Sequence, residues 1–216
     1  MKKAFTLIEL VFVIVVIGVL AVTIIPSTKT NPLQEAALQV KSHINYTQHL
    51  AMVDDKYNSA DSNWYKKRWQ IVFGTNVNSG SVPAYTIFSD TAGSSTGDIQ
   101  DSEVARNPLN VNEVMSGGTT GTTSLQIGHS SFIGMKKMNL GQSYGIVSYN
   151  LSGGCSGARI AFDYLGRPMK GDLSGNSSAY ESDNLIQSNC IVTLATADQN
   201  ISIIVTPETG YTYIQK

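Results

Sequence analysis

Apolar positions follow three different patterns along this chain. From Phe5 to Ile25 they form an almost unbroken run, preceded by Met1-Lys-Lys-Ala4 and interrupted by one ionisable side chain, Glu9. As a helix, this run would rise about 32 Å against a bilayer hydrocarbon core of roughly 30 Å. The pattern predicts one membrane-spanning segment. It also poses a question, because a carboxylate facing lipid costs roughly 3 kcal/mol, less toward the interface. Something should offset Glu9.

The second pattern begins after Pro26, which lacks an N–H and whose ring clashes with the preceding turn, so it ends or kinks the apolar helix. Ser27–Pro32 reads as a weak or broken segment, and Pro32 also fits the first turn of a restarted helix. From Leu33 the apolar positions recur at helical spacing: Leu33, Ala37, Val40, Ile44, Thr47 or Gln48, and Ala51. One stripe of that kind predicts an amphipathic helix covering a core. Met52-Val-Asp-Asp55 ends it.

Beyond Asp55 the period shortens to that of strands between turn signals. The expected strands are Arg68–Phe73, Tyr85–Ser89, Ser124–Ile127, Tyr144–Tyr149, Arg159–Phe162, Ile191–Thr196, Ile201–Thr206 and Tyr211–Ile214. Runs rich in Gly, Ser, Thr and Asn at 76–82, 92–98 and 116–123 are expected loops. There is no internal repeat and no linker between two domains. The fold class expected is α+β, an N-terminal helix packed on an antiparallel, β-rich head. The chain divides as 1–4, a short basic leader; 5–25, the apolar half of the helix; 26–55, its amphipathic half; and 56–216, the head.

Composition narrows the function. The 216 residues are 42% hydrophobic and 14% charged, with a formal net charge of −1. That balance offers no general electrostatic attraction to nucleic acid. Losing the leader would leave thirteen Lys and Arg against sixteen Asp and Glu.

Lys2-Lys-Ala-Phe-Thr-Leu-Ile-Glu-Leu10 resembles the leader junction of type IV pilins and type II secretion pseudopilins. The resemblance implies cleavage between Ala4 and Phe5 by a prepilin peptidase, methylation of the new Phe5 amine, and a role for Glu9 in subunit assembly, paired with the Phe5 amine of a neighbour. A lone buried charge is costly and a pair offsets the desolvation. The family usually carries Gly before the cut, and Ala4 implies slower processing. Pro26 matches the proline that kinks the helix in many pilins. Arg159-Ile-Ala-Phe-Asp-Tyr-Leu-Gly-Arg-Pro168 and Ile203-Ile-Val-Thr-Pro-Glu-Thr-Gly-Tyr-Thr-Tyr213 are similar to strand–turn–strand segments of the minor pseudopilin H and FimT-type group.

The implied fold is the type IV pilin-like one. The implied function is a minor pilin or pseudopilin that assembles into a secretion pseudopilus or a type IV pilus and contributes to protein secretion or pilus initiation. Its implied partners are other pilins, the prepilin peptidase, membrane lipid, and an inner-membrane platform with a cytoplasmic ATPase. Its implied location is the inner membrane of a bacterium, with the C-terminal head in the periplasm. There Cys155 and Cys190 are expected to form a disulfide. Their spacing offers neither C-x-x-C nor a third zinc ligand.

Two other readings stay open. Lys66-Lys67-Arg68, among Trp64, Tyr65 and Trp69, combines charge with aromatic faces suited to stacking on single-stranded DNA, which would make the chain a DNA-capturing pilin. The alternative is a solvated strand edge. An uncleaved anchor would instead leave a tethered periplasmic domain. No enzyme is expected: Gly153-Gly-Cys-Ser-Gly157 is not G-x-S-x-G, and Gly117-Gly-Thr-Thr-Gly121 is not a phosphate-binding loop. No cofactor and no metal is expected. His43 and His49 fall on opposite sides of their helix, His129 is the only other histidine, and Asp163, Asp172, Glu181 and Asp183 lack the spacing of a calcium loop.

Overall fold

The computed structural model describes residues 6–24, 31–91, 99–119, 122–155, 157–181 and 183–215. The chain forms two compact units, Met1–Asn31 and Pro32–Lys216. The expected cleavage and methylation positions Ala4 and Phe5, and the expected kink at Pro26, lie outside the described residues.

In the first unit, α1 runs from Leu7 to Ile24, eighteen residues. At 1.5 Å per residue it is about 27 Å long. No helix among the described residues is long and apolar enough to cross a membrane, so the expected span over 5–25 is not shown. The residues of α1 from Leu7 to Leu20 are all exposed.

In the second unit, α2 runs from Pro32 to Val53 and buries Leu33, Ala36, Ala37, Val40, Ile44, Thr47 and Ala51. This is the stripe expected from the spacing, widened by Ala36, and Pro32 takes the first helical position. Thr47 is tolerated in the core because its Oγ1 donates to His43 O at 2.8 Å within the helix.

The described residues of the head add ten strands: β1 Trp69–Gly74, β2 Ala84–Ser89, β3 Arg106–Asn107, β4 Asn110–Val114, β5 Ser148–Gly153, β6 Arg159–Phe162, β7 Pro168–Lys170, β8 Cys190–Ala195, β9 Asn200–Val205 and β10 Thr212–Gln215, with a short helix, α3, at Leu140–Tyr144. They form two four-stranded sheets, ordered β2-β1-β6-β7 and β10-β9-β8-β5, and the hairpin β3-β4. Every strand pairing is antiparallel.

One core joins α2 to both sheets. Ile71, Phe73, Ile160 and Phe162 come from the first sheet, and Val192, Leu194, Ile201, Ile203 and Val205 from the second. The period-2 rule is plain in β8, where Cys190, Val192 and Leu194 point inward. In β2 all six residues are buried, because the segment around 104–117 covers it: Ile87 N–H donates to Met115 O and Ala105 N–H to Ile87 O.

Three expectations are corrected. Ser124–Ile127 is not a strand; a 3₁₀ turn occupies Thr123–Leu125, and Leu125 instead plugs a small side core with Val104 and Val114. Tyr144–Tyr149 is not one strand: Tyr144 ends α3, Gly145 at φ +69° caps it, and β5 starts at Ser148. The hairpin β3-β4 was not expected, whereas β7 starts at Pro168, the end of the segment compared with a strand–turn–strand.

Candidate functional site

The start of α1 is built by Thr6 and Glu9. Thr6 N–H donates to Glu9 Oε2 at 2.9 Å, and the Thr6 hydroxyl donates to the same oxygen at 2.8 Å. Glu9 N–H returns a longer bond to Thr6 Oγ1, 3.4 Å. This is a capping box, which satisfies amide donors that open every helix. A carboxylate in the first turn also faces the positive end of the helix dipole. Within its own chain, Thr6 is thus a partner of the Glu9 carboxylate. The signal was present in the sequence as Thr-x-x-Glu. Ile8, Phe12 and Val13 stand beside Glu9 around a shallow depression.

In the head, the two turns singled out by resemblance converge on one glutamine. Gln48 Nε2 donates to Gly166 O and to Thr209 O, both at 2.8 Å. Gly166 (φ +80°) and Gly210 (φ +63°) are needed there: a Cβ on Gly210 would stand 2.5 Å from Gln48 Nε2 and 2.8 Å from Gly166 O. The first turn is held from within by Asp163, whose side chain is fully buried. Asp163 Oδ1 accepts from the amides of Leu165 and Arg167, and Oδ2 from Arg167 Nε at 2.8 Å and Tyr180 OH at 3.2 Å. The bond to Asp163 raises the pKa of Arg167. No isolated feature of the sequence pointed to Gln48.

A second polar chain crosses from α2 to the sheet. Tyr144 OH donates to Gln39 Oε1 at 2.8 Å, Gln39 Nε2 donates to Tyr85 OH at 2.7 Å, and Tyr85 OH sits 2.7 Å from His43 Nδ1. Tyr85 oxygen accepts from Gln39, and the direction of its bond with His43 follows the imidazole tautomer. Burial pulls the His43 pKa down to about 4 and pushes that of fully buried Tyr85 up. His43 is thus packed, His49 is exposed, and His129 Nδ1 bonds Ser131 Oγ in its own loop at 2.7 Å.

In the structure the basic cluster makes contacts within its own chain. Arg68 is 4% exposed, and its guanidinium lies 5.0 Å from the Trp64 ring and 4.6 Å from Tyr180. Its Nη1 donates to Ala179 O at 2.7 Å. Burial lowers its pKa, and Tyr180 and Asp163 oppose that shift. Lys67 pairs with Asp61 at 2.7 Å, and Lys66 is half-buried. Of the aromatic faces considered for base stacking, Trp64 lies against Arg68, Trp69 takes Lys56 at 5.0 Å, and the Tyr65 hydroxyl donates to Asn176 O at 3.2 Å.

Cys155 and Cys190 form a disulfide with Cα atoms 4.8 Å apart. The bridge closes the neck of an excursion that leaves the second sheet after β5, builds β6 and β7 of the first, and returns as β8. The four carboxylates considered for calcium are dispersed: Asp163 on Arg167, Asp172 on Arg159, Asp183 on Lys170, and Glu181 on the Ser177 amide. Among the described residues no group of His, Cys, Asp and Glu is placed to hold a metal.

No protein-family model, curated protein or solved structure matches this chain.

Proposed function

We propose that this chain is a minor pilin or pseudopilin: a subunit anchored through the apolar run 5–25, cut before Phe5, and packed into a filament for secretion or pilus initiation. The observation that carries the reading is the pairing of the leader Lys2-Lys-Ala-Phe-Thr-Leu-Ile-Glu with a helix that opens on Thr6 and Glu9 and presents apolar side chains on every side. A helix hydrophobic all round is not made to face water. Glu9 Oε2 takes both bonds from Thr6. In the proposed mechanism Oε1 receives the Phe5 amine of an adjacent subunit, so one carboxylate both caps its own helix and fixes register with its neighbour. The amphipathic α2 on antiparallel sheets and the disulfide of an exported head are consistent with it.

Glu9→Ala tests the mechanism. The variant is expected to reach the membrane and to be cleaved, yet to be missing from sheared or cross-linked filament fractions. Incorporation at the wild-type level would remove Glu9 from assembly.

A further inference from the structure

The outer edges of the large sheets differ in how they are guarded. β2 takes backbone bonds from the segment beside it. β7 is three residues long, begins at Pro168, carries Lys170, and meets Leu185 through a bridge at Met169. β10 is four residues, packs against α2, and is followed in the sequence by Lys216. Among the described residues β5 meets no such cover, and it leaves the extended conformation only at its last residue, Gly153 (φ +71°). Its six residues, Ser148-Tyr-Asn-Leu-Ser-Gly153, include no charge and no proline. Its register with β8 runs unbroken from Ser148↔Ala195 to Gly153↔Cys190. Sheets ordinarily guard such an edge, because its free N–H and C=O groups template another strand.

Alternation shows which groups are free. Gly154 N–H donates to Asn189 O, one step beyond the Gly153↔Cys190 pair. Antiparallel geometry then turns the backbone of Ser148, Asn150 and Ser152 toward β8 and that of Tyr149 and Leu151 outward. Among the described residues, no backbone group meets Tyr149 or Leu151 on that side.

We infer that β5 pairs with β5 of a second copy, antiparallel, joining two heads through one continuous sheet. The strand's own sequence selects that occupant. Pairing centred on Leu151 sets Leu151 opposite itself, Asn150 opposite Ser152, and Tyr149 opposite Gly153, so one patch complements itself as a two-fold contact requires. No like charges meet across the axis, where they would be destabilising, and Asn150 with Ser152 forms a polar cross-strand pair. Ser148 and Asn150 are exposed while Tyr149 and Leu151 lean into the core, so the pairing needs no repacking. The inference does not rest on the filament reading.

The test is the mass of the full chain in detergent, measured by sedimentation equilibrium at micromolar concentration. The wild type is expected to be dimeric. Asn150→Lys combined with Ser152→Lys, which puts opposed lysines across the axis, is expected to be monomeric. An equal mixture with Asn150→Glu/Ser152→Glu is expected to restore a mixed dimer, which also demonstrates that both variants fold. A monomeric wild type, a lysine variant that stays dimeric through some other surface, or a mixture that fails to recombine would each overturn it.

Discussion

The two long helices make opposite use of apolar side chains. On α1, Leu7, Ile8, Phe12, Ile14 and Val19 are 59–81% exposed; on α2, Val40 and Ile44 are fully buried. Both helices are regular, so backbone preference does not distinguish them. What differs is pattern: α2 carries a stripe that two sheets complete, whereas α1 is apolar all round and, among the described residues, no element of its own unit covers it. The second helix has its partner inside the chain. Among the described residues the first has no such partner in its own unit, and its one charged group is held by Thr6.

That contrast predicts a sharp asymmetry in stability. Ile44→Ala removes part of a fully buried side chain from the shared core and is expected to cost about 2–5 kcal/mol, whereas Ile14→Ala on α1 should change unfolding of the head by less than about 0.5 kcal/mol. Urea unfolding of the full chain in detergent, followed by tryptophan fluorescence of Trp64 and Trp69, measures both. Equal effects would erase the distinction.

Opening the Cys155–Cys190 bridge with Cys155→Ser/Cys190→Ser frees a 35-residue loop and is expected to cost about 3–4 kcal/mol by the chain-entropy argument. The same titration reads it. A loss below 1 kcal/mol would mean that β6 and β7 hold the excursion unaided.

Acid should act on the head through His43. Burial holds its folded pKa down at about 4, against the ordinary 6.5, so the unfolded chain binds the extra proton between those limits. Stability from this group is therefore complete above pH 6.5 and lost as pH falls toward 4, by up to about 3 kcal/mol. Unfolding titrations at pH 7.5 and 4.5 should show a steeper loss for the wild type than for His43→Gln. Parallel losses would place the acid sensitivity elsewhere.

The smallest effect is expected at Gln48. Gln48→Ala leaves the Gly166 and Thr209 carbonyls without their donor and should cost about 1–2 kcal/mol, with faster amide exchange at both turns. No change in exchange would show that the turns hold themselves.

Much of the architecture was legible because local pattern and tertiary burial agree. The α2 stripe, Pro32 at its first turn, and β1, β2, β6, β8, β9 and β10 were found within a residue or two. Where they disagree, the reading failed. Leu125 and Ile127 alternate like a strand, yet Leu125 is taken up by Val104 and Val114 in a turn. β4, Asn-Val-Asn-Glu-Val, is exposed over most of its length and so carries no alternating apolar signal. Arg68 looked like a surface cation because Tyr180 and Ala179, which bury it, lie more than a hundred residues away. Gln39 was invisible for the same reason, and Gln48 was named as a stripe position without its partners at Gly166 and Thr209. Thr6 was legible as half of Thr-x-x-Glu but was passed over.

The central claim is that Glu9 opens a helix whose neighbouring Phe5 has become a free amine. Intact-mass and N-terminal peptide analysis of the protein extracted from its native membrane tests this most directly. The account predicts a chain that begins at methylated Phe5. A chain that begins at Met1, with both leader lysines in place, would contradict it.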